Sequence, residues 1–151
     1  MAPIPRDDPY PAYRFQVTVI GVAADGSDVR AEFAEVSAPT IEVPSIEYRA
    51  GSDDLVLRKI PGVPKRTNLT LKRGVTGHTD FWQWMQSALE GRAPRRDGAI
   101  ALLDETGIEV MRWEFKRALP TKFTGPALSA TKNELAMEQI DLAVETLRVV
   151  V

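Results

Sequence analysis

Between Ile46 and Trp84 the chain changes its hydrophobic period several times in a short distance, and this constrains its fold more than any other stretch. Ile46-Glu47-Tyr48-Arg49-Ala50 and Leu55-Val56-Leu57-Arg58-Lys59-Ile60 flank the polar tip Gly51-Ser52-Asp53-Asp54, the pattern of a hairpin with a longer loop. Pro61-Gly62 then bends the chain. Thr67 to Val75 alternates as a strand, with Leu69, Leu71 and Arg73 on one face and Asn68, Thr70 and Lys72 on the other. Gly74 and Gly77 end that strand, and a short helix from about Asp80 to Leu89 follows. Thr79 is placed to cap it, Asp80 suits its dipole, and Gly91 suits its C′ position. Phe81, Trp84, Met85, Ala88 and Leu89 form one apolar stripe, with Trp82 off it.

The same strand signals recur on both sides. Tyr13 to Ile20 alternates, with Tyr13, Phe15, Val17 and Val19 on one face. After the turn Asp25-Gly26-Ser27-Asp28, Val29 to Val36 reads as the second strand of a hairpin. Ser37 to Pro44 is broken by Pro39 and Pro44. Ala99 to Leu103, the turn Asp104-Glu105-Thr106-Gly107 and Ile108 to Ala118 form another hairpin. In its second strand Val110, Arg112, Glu114 and Lys116 oppose Met111, Trp113, Phe115 and Arg117, and Pro120 and Pro126 break the chain beyond it. Asn133 to Val151 supports two readings. Asn133 as cap and Ala136, Ile140, Ala143, Val144 and Leu147 as a stripe give a helix. Ala136, Ile140, Leu142 and Val144 at even positions give a strand.

At 151 residues the chain fits one domain of ordinary size, with a formal net charge of −2 that gives no electrostatic footprint for nucleic acid. With no cysteine, disulfides, thiolate metal sites and cysteine nucleophiles are excluded. The first residues, Met1 to Pro11, carry proline and acid but no apolar run, so they read as an extended arm rather than a secretion signal. No window approaches a membrane span. Motifs of catalysis are equally lacking. His78 is the only histidine, and Gly74-Val75-Thr76-Gly77-His78 has the wrong spacing for a phosphate loop. Asp25 and Asp28 fall far short of a Ca²⁺ loop. The pairs Asp7-Asp8, Asp53-Asp54 and Asp104-Glu105 sit in turns or the arm, where solvated acid is the ordinary state. Arg92, Arg95 and Arg96 make a short basic loop that suits solvent or an acidic neighbour.

Taken in order, the blocks carry more than any one of them. They run Pro9-Tyr10-Pro11-Ala12-Tyr13-Arg14-Phe15, Phe33-Ala34-Glu35-Val36-Ser37, Ile46-Glu47-Tyr48-Arg49 and Lys59-Ile60-Pro61-Gly62. Leu69-Thr70-Leu71-Lys72-Arg73-Gly74-Val75-Thr76, Leu103-Asp104-Glu105-Thr106-Gly107, Trp113, Gly125-Pro126 and Asn133-Glu134 complete the series. This order resembles the inner tail tube protein family of contractile injection systems and contractile-phage tails, along nearly the whole chain. One departure is Ala38-Pro39 after Val36-Ser37, where the family often has Gly-Leu.

The resemblance implies a mainly β fold: two antiparallel sheets forming a small barrel or sandwich, flanked by the Asp80 to Leu89 helix. It makes Asn133 to Val144 a strand. It implies an extended arm at residues 1–11 and a single tube domain at 12–151. It further implies hexameric rings stacked into a tube, with a sheath outside, a baseplate or spike hub and a terminator at the ends, and protein or DNA payload in the lumen. No enzyme activity, cofactor, metal or direct membrane insertion is implied. Synthesis is expected in the cytoplasm, before assembly into a phage tail or injection particle. The mixed hairpin, Ile46, Glu47, Tyr48, Arg49, Leu55, Val56, Leu57, Arg58 and Lys59, is the expected contact between subunits or rings, because such a ribbon is marginal without a surface to pack on. Pro9, Tyr10 and Pro11 of the arm are the second expected contact. An adaptor or tube-terminating ring of the same fold shares these motifs. A carbohydrate-binding β-sandwich would need an exposed aromatic platform, for which Trp82 is the only suggestion, and an enzyme would need a pocket converging on His78.

Overall fold

A computed structural model of the chain describes residues 6–20, 29–31, 35–37, 40–49, 51, 57–75, 77, 79–92 and 94–150. It divides into two compact units, Met1–Ser37 with Asn68–Val151, and Ala38–Thr67. In chain order the elements are β1 (Phe15–Val19), β2 (Val29–Ala31), β3 (Glu35–Val36), β4 (Ile41–Glu42), β5 (Ser45–Tyr48), β6 (Arg58–Pro61) and β7 (Lys65–Arg66). They continue with β8 (Leu69–Gly74), α1 (Asp80–Leu89), β9 (Arg96–Leu103), β10 (Glu109–Thr124), β11 (Met137–Ala143) and β12 (Thr146–Val150).

The larger unit is a two-sheet sandwich joined by one strand. Strands β2, β1, β9 and the first half of β10 lie side by side, and β12 pairs residues 112–116 of β10. The second half of β10 instead pairs β11, which pairs β8, which pairs β3. All these pairings are antiparallel. The transfer between sheets happens where the β9 register shifts between Phe115 and Ala118, and Arg117 lies there at φ +55°. A bulge with one residue in the left-handed region is how a strand turns a corner between packed sheets. The core fills the space between them: Val17, Val19, Ile100, Phe115 and Leu147 from one sheet, Leu69, Leu71, Ile140 and Leu142 from the other. Phe81 and Trp84 of α1 close the side.

Most of the expected elements form, and the departures have local causes. Leu69, Leu71 and Arg73 are buried together on β8, as the alternation predicts. Helix α1 spans the expected residues and ends in a Schellman motif: Arg92 N–H donates to Ser87 O (2.9 Å), Gly91 N–H to Ala88 O (3.0 Å), and Gly91 takes φ +74°. Thr79 does not cap by its side chain; its hydroxyl accepts from the Gln83 amide at 3.0 Å instead. The apolar stripe is buried at Phe81 and Trp84, but Leu89 is exposed. Trp82 lies edge-on to Phe123, with ring centroids 5.4 Å apart.

The last segment is strand, not helix. Glu138, Ile140 and Leu142 alternate into the core, because pairing with β8 and β10 outweighs the helix propensity of single residues. Within the stretch from Val29 to Val36, β2 pairs β1 while β3 pairs β8 in the other sheet, and residues 32–34 lie outside the described residues. Pro120 does not interrupt its strand. It pairs with Leu142 and is followed at once by the register shift before Lys122, an irregular place where a strand tolerates proline. The bulges also break the even–odd alternation of β10, so that Val110, Phe115 and Ala118 are all buried. Tyr13, placed on the apolar face of the first strand, lies outside β1 and is 69% exposed. The Asp25 to Asp28 turn, Phe33 and His78 lie outside the described residues.

Candidate assembly surfaces

The smaller unit holds two short ribbons. Ile41 and Glu42 of β4 pair Arg66 and Lys65 of β7, a pairing hidden from the sequence by the prolines around it. In β5 and β6, Ser45 opposes Pro61, Ile46 opposes Ile60, Glu47 opposes Lys59 and Tyr48 opposes Arg58. Opposed residues share a face, so Ile46, Ile60 and Tyr48 stand together with Arg58, while Glu47 and Lys59 stand on the other side. The expected hairpin is therefore present, and it has one mostly apolar face. Arg49 and Leu57 flank these strands, and Leu55 and Val56 lie outside the described residues. Gly62 N–H donates to Pro44 O at 2.6 Å and closes the base.

No described residue of this unit is buried. Ile41, Val43, Ile46, Tyr48, Leu57, Ile60 and Val63 are all between 45% and 76% exposed. Two-stranded ribbons are marginal in water by themselves, and clustered exposed apolar side chains mark an interaction surface.

The arm is tied down in a way its prolines do not reveal. The Arg6 guanidinium makes two hydrogen bonds to the Glu105 carboxylate, at 3.1 and 3.2 Å, and donates to the carbonyls of Asp8 (2.8 Å) and Pro9 (3.0 Å). It also stacks over the Tyr10 ring, 3.8 Å from its centroid, and Tyr10 and Pro11 are half-buried. Glu105 belongs to the β9–β10 turn, whose Asp104 carboxylate accepts from Thr106 N–H (2.8 Å), Thr106 hydroxyl (2.6 Å) and Ile108 N–H (2.9 Å). The Thr106 hydroxyl chiefly holds Asp104 below the usual carboxylate range, and the Arg6 hydrogen bond does the same for Glu105.

This clamp gives a pH expectation. Because the folded Glu105 titrates below its unfolded value, the clamp is complete above the ordinary carboxylate range, about pH 4.3, and is lost as pH falls through the lower folded value. The ring-proton NMR shifts of Tyr10, over which Arg6 stacks, should hold from neutral pH down to that range and move toward free-chain values only in stronger acid. Glu105→Gln should show the free-chain values already at neutral pH, and an unchanged Tyr10 environment in that variant would refute the clamp.

Elsewhere several charged side chains pair with one another. A depression of about 260 Å³ is walled by Thr18, Ile20, Asp97, Arg112, Glu114 and Lys116. There Arg112 is paired to Glu109 (2.7 Å) and Glu114 to Arg148 (3.3 Å). Among the described residues, no group of three His, Cys, Asp or Glu side chains could hold a metal ion, and no helix is long and apolar enough to cross a membrane.

The described residues thus give a two-sheet sandwich with its arm clamped, and a second unit whose apolar side chains are exposed. The chain matches the family of the T4-like virus tail tube protein gp19 over residues 11–148, and it belongs to that family. Solved structures agree. A chain in the extended-state sheath–tube complex of an extracellular contractile injection system, PVC, is 32% identical, with 95% of this chain and 93% of that chain covered and a TM-score of 0.81. One in the PVC sheath/tube terminator is 31% identical, covering 96% and 99%, at 0.82. A chain of the six-fold symmetrised anti-feeding prophage baseplate, 19% identical, shares the fold over 96% and 97% at 0.84. Among curated protein sequences, none matches.

Proposed function

We propose that this chain is a structural, non-enzymatic subunit of the inner tube of a contractile injection particle or contractile-phage tail. It is made in the cytoplasm and built into six-fold rings that stack around a channel. Residues 12–151 act as one assembling domain behind the arm at 1–11. A sheath lies outside, a baseplate hub and a terminator hold the ends, and protein or DNA passes along the lumen. Family membership supports this reading, as does similarity above 30% to chains of a sheath–tube complex and its terminator. The observation that carries it is the hairpin unit. Among the described residues its apolar side chains are exposed, and a ribbon of this kind gains stability where another protein covers such a face.

The hairpin residues Ile46, Tyr48, Leu57 and Arg58, with Glu47, Arg49 and Lys59 at the edges, form the main contact. Leu55 and Val56 belong to the same contact at the tip, and Pro9, Tyr10 and Pro11 add a second one along the arm. Replacing Tyr48 by Ala and Arg49 by Glu together tests this. Both side chains are exposed, so the melting temperature should move little, by the equivalent of about 0.5 kcal/mol. Stacked rings should vanish in electron micrographs while monomers sediment normally. Tubes of ordinary length from this variant would remove the hairpin from assembly.

A further inference from the structure

Charge on the sandwich unit is sorted along strand β9. Its first residue, Arg96, lies beside the strand bend, and its last leads into the turn that clamps the arm. These ends are separated by the eight residues of the strand, about 26 Å at the usual rise.

At the bend, every nearby carboxylate is already engaged. Glu145 accepts from Arg117 Nε (2.8 Å) through one oxygen and from Arg95 Nη1 (3.2 Å) through the other. Asp97 accepts the Arg117 backbone N–H (2.9 Å), and Glu90 pairs with Arg92. Arg96 is left over. It is half-buried, its Nε is buried without a hydrogen bond, and it forms no ion pair among the described residues. Two residues before it, Pro94 O accepts from Trp84 Nε1 at 2.9 Å. A half-buried guanidinium that forms no ion pair among the described residues can take a carboxylate from outside through its remaining donors.

At the arm end the surplus is negative. Glu105 is taken by Arg6 and Asp104 by its own turn, whereas Asp7 and Asp8 are exposed and their carboxylates accept no hydrogen bond among the described residues. The two surpluses cannot meet within one copy.

We infer that the acidic arm tip, Asp7 and Asp8, of one copy docks on the Arg92–Arg96 loop of the next, with Arg96 as the recipient. The contact is heterologous, so each copy keeps one unused acidic end and one unused basic end and the association propagates head to tail. The inference rests on the tube-subunit reading and gives its assembly a polarity. Nucleic acid suits the loop less well, since Glu90, Asp97 and Glu145 interleave its arginines.

The absence of cysteine makes the test clean. One preparation carries Asp7→Cys, the other Arg92→Cys, and the mixture is treated with a short bismaleimide. A heterodimer linking positions 7 and 92 should dominate over both homodimers at low salt and fade at high salt, where exposed charge is screened. Arg96→Glu on the second preparation should cut the yield about tenfold, and adding Asp8→Arg to the first should restore it. Asp8→Arg alone, on the exposed arm, should produce the same loss without touching the core. A yield indifferent to both reversals, equal homodimers, or protection of position 92 by an oligonucleotide without cross-linking would overturn the contact. Rings without the 7–92 link defeat this contact and leave the tube standing. The link without rings keeps the contact and defeats the tube.

Discussion

Gly98→Ala is expected to lower the melting temperature of the subunit by about 6–12 °C, the equivalent of about 3 kcal/mol. Gly98 lies on β9 between β1 and β10, opposite Val19 on one side and Phe115 on the other. A methyl group there would stand under 3.0 Å from both the Thr18 carbonyl oxygen and Cζ of Phe115. The carbonyl belongs to a paired strand and cannot withdraw without breaking its ladder. Phe115 is fully buried in the core and has no vacant rotamer to enter. Overpacking at both neighbours is therefore forced into the backbone. Thermal unfolding monitored by circular dichroism reads the effect, and a variant melting within a degree or two of the parent would show that the sheet is looser there than described.

Glu138→Ala should cost more, about 3–5 kcal/mol. Arg73 of β8 and Glu138 of β11 are cross-strand partners, with Nε and Oε1 2.5 Å apart and both side chains nearly removed from solvent. The guanidinium also lies over the Phe81 ring, 4.2 Å from its centroid. Removing the carboxylate takes away the Glu138 side of a buried pair whose cation stays in place, and that is the expensive event. Replacing both partners, as Arg73→Met with Glu138→Leu, removes the charge problem together with the pair. The double variant should recover most of the loss, because a buried ion pair contributes little over a well-packed apolar pair. Denaturant unfolding of the three proteins separates the cases. A single variant as stable as the parent would mean that Arg73 reaches water or another anion.

Which elements were readable depends on where their information lies. The alternation of β8, the stripe of α1 and the Asp104 to Gly107 turn are local patterns, and each appears where its residues place it. Arg73 was visible on the buried face of β8, but its partner was not, because Glu138 stands 65 positions away and joins it only through sheet register. The same limit hid the nature of the Asn133 to Val151 segment, whose helix-forming residues are overruled by β8 and β10. Pro120 misled for a different reason: a proline reads as a break, yet a strand tolerates one beside a register shift. For the proposed assembly surfaces, the mixed charged and apolar ribbon suggested the hairpin, with the arm as a second candidate. Nothing local announces the apolar face made by Ile46, Tyr48 and Ile60, which exists only in the observed register, or the Arg6 clamp on Glu105. Arg96 was legible only as part of a basic loop. That it alone lacks a carboxylate depends on how Glu145 and Asp97 are shared across three strand ends.

The central claim is that this chain builds a tube, and negative-stain electron microscopy of the purified protein at high concentration tests it most directly. Hollow rings with six-fold end views, stacking into tubes of constant bore, are the predicted result. A population that stays monomeric across the concentration range, or rings of another symmetry that never stack, would contradict it.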